Sequence, residues 1–282
     1  MLKRALSTEK PVKIGHTGTL DPSASGVLII CLGRANRLAE YVLMHPKEYR
    51  GLIRLGSGTD TLDAAGKVIE SKPVPEFDQT NLDSLAAEKF HGKIMQIPPA
   101  VSALKKDGER YYVKAQRGEP VEPPARETTI YSLALKKLDV SNIEILVRCS
   151  SGFYVRSLAR DVARELGTVG HLDELVRTSV GNFTIDDAVD PGLIQGLDSI
   201  KGKIYPVDYP MDIIPRIDIN IEFARGFIKG IPCTIESSPG MSGVDRISVY
   251  SGDIFLGIGE VRELEPQFEL IPKKVITRQE MI

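Results

Sequence analysis

Lys13-Ile14-Gly15-His16-Thr17-Gly18-Thr19-Leu20-Asp21-Pro22-Ser23-Ala24-Ser25-Gly26-Val27-Leu28 is the stretch around which the rest of the 282-residue chain falls into place. Its glycines and small polar residues suit a loop that bends sharply. It runs into Val27-Leu28-Ile29-Ile30-Cys31-Leu32, long enough for one buried strand or the start of a helix. Between them stands Asp21-Pro22. Pro22 has no N–H and biases Asp21 toward an extended backbone. An Asp at the edge of a core segment, with His16 five residues earlier, is a candidate catalytic carboxylate. For an isolated Asp-Pro pair a turn is the better reading.

The run from Gly15 to Leu28, GHTGTLDPSASGVL, resembles the motif G-H-T-G-x-L-D-P-x-A-[ST]-G-x-L of the TruB-type tRNA pseudouridine synthases. The resemblance implies that Asp21 is the catalytic residue and that His16 helps to bind or flip out the target nucleotide.

Outward from the loop, Arg34–Leu43 carries apolar residues at 38, 39, 42 and 43, a helical spacing. Arg34 and Arg37 lie one turn apart on its other face, where they either meet phosphates or are simply solvated. Lys47–Gly56 reads as a strand with Tyr49 near its start, and Gly58–Gly66 is rich in turn formers. This segment resembles the family's K-x-Y-x-x-x-x-x-x-G-x-x-T-D-T-x-D-x-x-G pattern, which implies that Tyr49 stacks on the target base. A short helix is predicted over 81–90, capped by Thr80 or Asn81. Residues 92–118 include Gln96-Ile97-Pro98-Pro99 and resemble the family's Q-x-P-P-x-x-S-A-x-K segment, with Gln116 where Ala is usual. Basic residues interleaved with Tyr111 and Tyr112 suit an RNA surface.

Ile143, Ile145, Val147 and Cys149 alternate with Glu144, Leu146 and Arg148, as in a half-buried strand. Tyr154–Gly167 reads as an amphipathic helix with a stripe at 155, 158, 159, 162 and 166 and a terminating glycine. Its start resembles the family's G-x-Y-x-R motif. That implies that Arg156 pairs with the catalytic Asp21 and that Tyr154 lines the base pocket. His171–Thr178 resembles H-x-x-x-L-x-R and places Leu175 in the same pocket. Beyond 185–208, helical and linker material, the texture turns to short alternating strands, and Arg246–Val261 reads as a hairpin.

Composition bounds the rest. Hydrophobic residues are 42% and charged residues 26%, ordinary for a globular protein. No apolar run approaches the roughly 20 residues of a membrane helix. The N-terminus lacks a signal core of about 7–15 apolar residues, so the expected location is cytoplasmic, with no membrane partner. Cys31, Cys149 and Cys233 are far apart and read as buried thiols. His16, His45, His91 and His171 show no metal-ligand spacing, so no metal site is expected. Net charge is −2 overall, but +4 over residues 1–60 and −3 over 209–282. A basic region around Asp21 is compatible with a polyanionic substrate.

The resemblance spans nearly the whole chain. It implies an α+β pseudouridine synthase fold, a mixed, mostly antiparallel sheet flanked by helices. A catalytic domain over 1–208 would be followed by a small β-rich, PUA-like RNA-binding domain over 209–282. The implied activity is isomerisation of uridine to pseudouridine at position 55, in the T-arm of tRNA, by a monomer without cofactor. Alternatives are a synthase acting on another RNA, or a non-catalytic protein that binds or folds tRNA. Family members usually carry a K-P-x-G-x-T-S strand some twenty or more residues before the GHTG loop. Only fifteen residues precede His16 here, so the expectation is that this strand is missing, through a misassigned start or a truncation.

Overall fold

A computed structural model describes residues 12–101, 105–106, 109–110, 117, 123–235, 246–264 and 267–277. In chain order, β1 (Ile14–Thr17), β2 (Ala24–Gly26) and β3 (Ile29–Leu32) lead through a 3-10 turn at Gly33–Leu38 into α1 (Ala39–Met44). Next come β4 (Lys47–Leu55), β5 (Ser57–Thr59), β6 (Val68–Ser71), α2 (Gln79–Lys89) and β7 (Gly92–Gln96). A short pair, β8 (Lys105–Lys106) and β9 (Glu109–Arg110), precedes β10 (Arg126–Lys137), β11 (Asn142–Cys149), α3 (Val155–Glu165), β12 (Gly170–Val180) and β13 (Phe183–Thr184). After several 3-10 turns follow β14 (Arg216–Asp218), α4 (Ile221–Phe227), β15 (Cys233–Ile235), β16 (Ile247–Ser251), β17 (Ile254–Leu264) and β18 (Gln267–Val275).

These elements form two compact units interleaved along the chain. One takes residues 19–28 and 44–188, the other 1–18, 29–43 and 189–282. The division differs from a single cut between 208 and 209, because the chain enters the sheet-bearing unit for the Asp21 loop, leaves it, and returns before β4.

The sheet of residues 44–188 runs β13-β12-β4-β11-β10-β7, antiparallel throughout, with β2 added parallel to β12. Alternation explains it: Ile143, Ile145, Val147 and Cys149 of β11 are buried, as the sequence predicts, and so are Gly51, Ile53 and Leu55 of β4. This inner face packs on α3, whose Val155, Leu158, Ala159, Val162 and Ala163 are buried. Gly167 ends α3 at φ +84°, and Thr168 N and Gly167 N close on the carbonyls of Ala163 and Arg164, a Schellman closure. Helix α2 begins two residues before the expected start. Asp78, not Thr80 or Asn81, is its cap: Asp78 accepts from Asn81 N, and Asn81 Oδ1 accepts from Asp78 N, a reciprocal capping box.

In the other unit, β14-β16-β17-β18-β15 make a five-stranded sheet over α4, and β16 and β17 form the predicted hairpin. Leu38 and Tyr41 pack with Met211, Ile214, Tyr250, Phe255 and Ile258. Arg34 and Arg37 donate to the carbonyls of Ile276 and Val275, both at 2.6 Å. They are therefore tied to the backbone rather than simply solvated. Most of the basic and aromatic segment 102–122 lies outside the described residues, as do residues 1–11. Among the described residues no helix is long and apolar enough to cross a membrane.

Candidate active site

Asp21 sits where the loop joins β2. Its carbonyl accepts from Ala24 N at 2.9 Å, closing a turn, and Ala24, Ser25 and Gly26 then pair with Leu175, Val176 and Arg177 of β12. The loop is clamped at its far end: Val27 N donates to the Arg177 carbonyl at 2.9 Å, and Arg177 Nε donates back to the Val27 carbonyl at 2.7 Å. Gly26 makes this approach possible. Its φ is +105°, and a Cβ there would lie 2.2 Å from the Arg177 carbonyl oxygen. A glycine that reads as loop material is thus required by two strands meeting backbone to backbone.

Arg156, in the first turn of α3, meets Asp21 with two guanidinium nitrogens. Nη2 donates to Oδ1 at 3.1 Å, and Nε lies 2.9 Å from Oδ2. The second is a charge contact without hydrogen-bond alignment, since Nε is buried and makes no hydrogen bond. Nη1 donates to the Thr61 carbonyl at 3.1 Å and lies 3.5 Å from Asp63 Oδ2. Asp63 is in turn held by Thr61 Oγ1 at 2.6 Å and Ala65 N at 3.1 Å, both donating to Oδ1. One buried guanidinium therefore sits between two carboxylates, the side chain of Asp21 39% exposed and that of Asp63 12%. The more open one is free to meet a substrate. Leu62, between Thr61 and Asp63, adopts φ +63°, rare for a residue with a branched side chain, and its carbonyl and the Ala64 amide pair with Leu172 of β12. That strained residue turns the Thr61 carbonyl and the Asp63 carboxylate toward the same arginine.

Tyr49 of β4 stands directly opposite Arg177 of β12. Burial pushes its hydroxyl above the ordinary value, while Arg177, hydrogen-bonded to it, pulls the other way; the charge of Asp21 also acts on it. Lys47, two residues earlier, is buried and donates to the His45 carbonyl at 2.9 Å. Burial, reinforced by Arg177, pushes its ammonium down to about 8 from 10.5. Between those values the unfolded chain holds the extra proton, so the fold gains stability as pH rises through that window. Cys149 works in the opposite sense: burial raises its thiol to about 12, so it costs stability above about pH 9.

Leu175, half-buried, lies opposite both Ala24 and Gly51 in its two strand pairings. Tyr154 is the residue that caps α3, half-buried, with the Arg126 guanidinium 4.9 Å from its ring centroid. Asp21, Arg156, Tyr49, Tyr154 and Leu175 thus all belong to one unit. His16 belongs to the other, exposed on β1 opposite Ile30. Asp63 and Arg177 escape the sequence reading as site residues, although Asp63 occupies the last acidic position of the matched T-D-T-x-D string. Among the described residues no group of three His, Cys, Asp or Glu could hold a metal.

One unit thus holds a loop carboxylate paired to a buried arginine beside a sheet-borne tyrosine, and the other a five-stranded β sheet. A solved chain in a Cbf5–Nop10–Gar1 complex shares the fold, with a TM-score of 0.76 at 20% identity over 99% of this chain and 80% of the other. In sequence, the family described as TruB family pseudouridylate synthase (N terminal domain) matches residues 3–155. The tRNA pseudouridine synthase B of Caldanaerobacter subterraneus subsp. tengcongensis is 44% identical over 253 residues, 88% of this chain and 85% of its own length. That of Aromatoleum aromaticum is 40% identical over 271 residues, 94% and 84%. That of Psychrobacter cryohalolentis is 44% identical over 212 residues; the match spans 74% of this chain and 59% of the relative. The chain belongs to the TruB family of pseudouridylate synthases.

Proposed function

We propose that the chain isomerises uridine to pseudouridine at position 55 in the T-loop of tRNA, with Asp21 as the catalytic carboxylate. The observation that carries the reading is the Arg156 guanidinium holding Asp21 by two nitrogens on the loop that bears the family motif. In the reaction the N1–C1′ bond breaks, the uracil turns, C5 bonds to C1′ and loses its hydrogen as a proton, and N1 takes up a proton. Substrate and product have the same composition, so neither redox cofactor nor phosphate donor takes part.

The Arg156 guanidinium orients the Asp21 carboxylate, which acts as nucleophile or base. The target base is stacked within the folded T-loop and has to be extruded, at a cost of a few kcal/mol. Stacking on Tyr49, worth roughly 1–3 kcal/mol, offsets part of that cost. Tyr154 and Leu175 complete the base pocket, and His16 helps to hold the nucleotide out. The unit of residues 19–28 and 44–188 carries the catalytic carboxylate, and the β-rich stretch 209–282 acts as a PUA-like RNA-binding module. The protein works as a cytoplasmic monomer on the T-arm. The test is incubation with unmodified tRNA followed by mapping of pseudouridine. Conversion confined to position 55 supports the reading; an unchanged tRNA, or conversion elsewhere only, overturns it.

A further inference from the structure

We propose that Gln96 is a positioning residue for the reaction: through the main chain of Tyr154 it fixes the first turn of α3, and with it the approach of Arg156 to Asp21. The proposal rests on the catalytic reading of Asp21 and Arg156 given above. Gln96 is the last residue of β7 and only 1% exposed. Its side-chain amide binds one residue twice. Oε1 accepts from Tyr154 N at 2.8 Å, and Nε2 donates to the Tyr154 carbonyl at 3.0 Å. This is the pairing of two antiparallel strand residues, made here by a side chain. It acts at the one place where α3 lacks a cap of its own, since the Tyr154 side chain makes no capping bond.

The next residue adds two more ties. The Ile97 carbonyl accepts from Ser157 Oγ at 2.8 Å and from Arg160 Nη2 at 3.2 Å. Arg126, opposite Gln96 in the β10–β7 register, stands beside the Tyr154 ring. Two consecutive residues of β7 and its exit therefore hold positions 154, 157 and 160, and Arg156 lies inside that grip. A guanidinium that must satisfy Asp21, Asp63 and the Thr61 carbonyl together tolerates little helix rotation. For packing alone, an apolar side chain of similar length would fill the Gln96 site without the desolvation cost of an amide. What the amide adds is a fixed register between β7 and α3.

The experiment compares Gln96→Met and Ser157→Ala with the parent by three readouts. These are single-turnover rate on saturating tRNA, tRNA Kd, and the Arg156 Nε–Hε NMR resonance, assigned by its loss in Arg156→Lys. Gln96→Met should move the Arg156 resonance and slow turnover at least roughly tenfold, the scale of a sub-ångström misplacement, with Kd unchanged. Ser157→Ala, a smaller cut at the same grip, should act in the same direction by a fewfold and serves if the Met variant does not fold. Placed on Arg156→Lys, the Gln96→Met penalty should shrink. An unmoved resonance and unchanged turnover in a folded variant with a lowered melting temperature would make Gln96 a packing residue and overturn the proposal. If the parent itself fails to convert tRNA, the proposed function falls, while the arginine resonance still reports on the grip.

Discussion

Replacing Arg156 with Met keeps much of the side-chain length and removes the charge that two carboxylates share. Asp63, the more buried, keeps Thr61 Oγ1 and Ala65 N as donors, and Asp21 is open enough to be re-solvated. Breaking a fully buried pair costs roughly 3–5 kcal/mol. With one partner partly exposed and the other still hydrogen-bonded, a stability loss of about 2–3 kcal/mol is expected. The rate should suffer at least as much, because the two guanidinium contacts that hold the Asp21 carboxylate are then lost. A shift of about 1 Å costs on the order of a hundredfold, or about 2.7 kcal/mol of barrier. Arg156→Lys keeps a charge but cannot reach Asp21, Asp63 and the Thr61 carbonyl at once, and should fall between. A tRNA transcript with tritium at uracil C5 provides the assay, since the new C1′–C5 bond expels that hydrogen. A Met variant that melts earlier yet releases tritium within about threefold of the parent rate would refute the reasoning.

Gly26→Ala forces a Cβ onto the Arg177 backbone from a positive φ, so it should cost more than about 1 kcal/mol of stability and slow turnover, read by denaturant melts and the tritium assay. Gly202→Ala, where a Cβ meets nothing within 4 Å, should change neither. Lys47→Met should flatten the rise in stability that the parent draws from this lysine between about pH 8 and 10.5. Melts across that range, with Cys149 present in both proteins, should show the parent gaining on the variant as pH rises; parallel curves would deny the depressed ammonium.

Much of this was legible in sequence wherever period or a long motif carried the signal. The alternation in β11 and the stripe on α3 give both elements and their buried faces, because a side-chain period of two or 3.6 leaves a direct trace. The GHTG loop and the G-x-Y-x-R string nominated Asp21 and Arg156 as partners 135 positions apart. Long-range partners without a period of their own did not show. Asp63 reads as a turn residue until the positive φ of Leu62 swings it toward Arg156. Arg177 is only the last position of the H-x-x-x-L-x-R string until the register sets it opposite Tyr49. Arg34 and Arg37 read as phosphate-facing or solvated because the carbonyls they bind come from residues 275 and 276. The interleaving of the two units escapes for the same reason: Leu38 and Tyr41 find their core partners beyond residue 207.

The central claim is that the Asp21 carboxylate carries the chemistry while other groups carry the binding. Asn at position 21 preserves shape and removes the ionisable acid. The decisive measurement is single-turnover conversion by Asp21→Asn at saturating tRNA, with Kd measured on the same preparation. Protein–RNA affinity comes largely from phosphate contacts in general, which this substitution does not remove, so Kd should stay within a fewfold of the parent while no pseudouridine forms. Pseudouridine made by the Asn variant at even about a tenth of the parent rate, too small a loss for removal of an essential reacting group, would contradict the account.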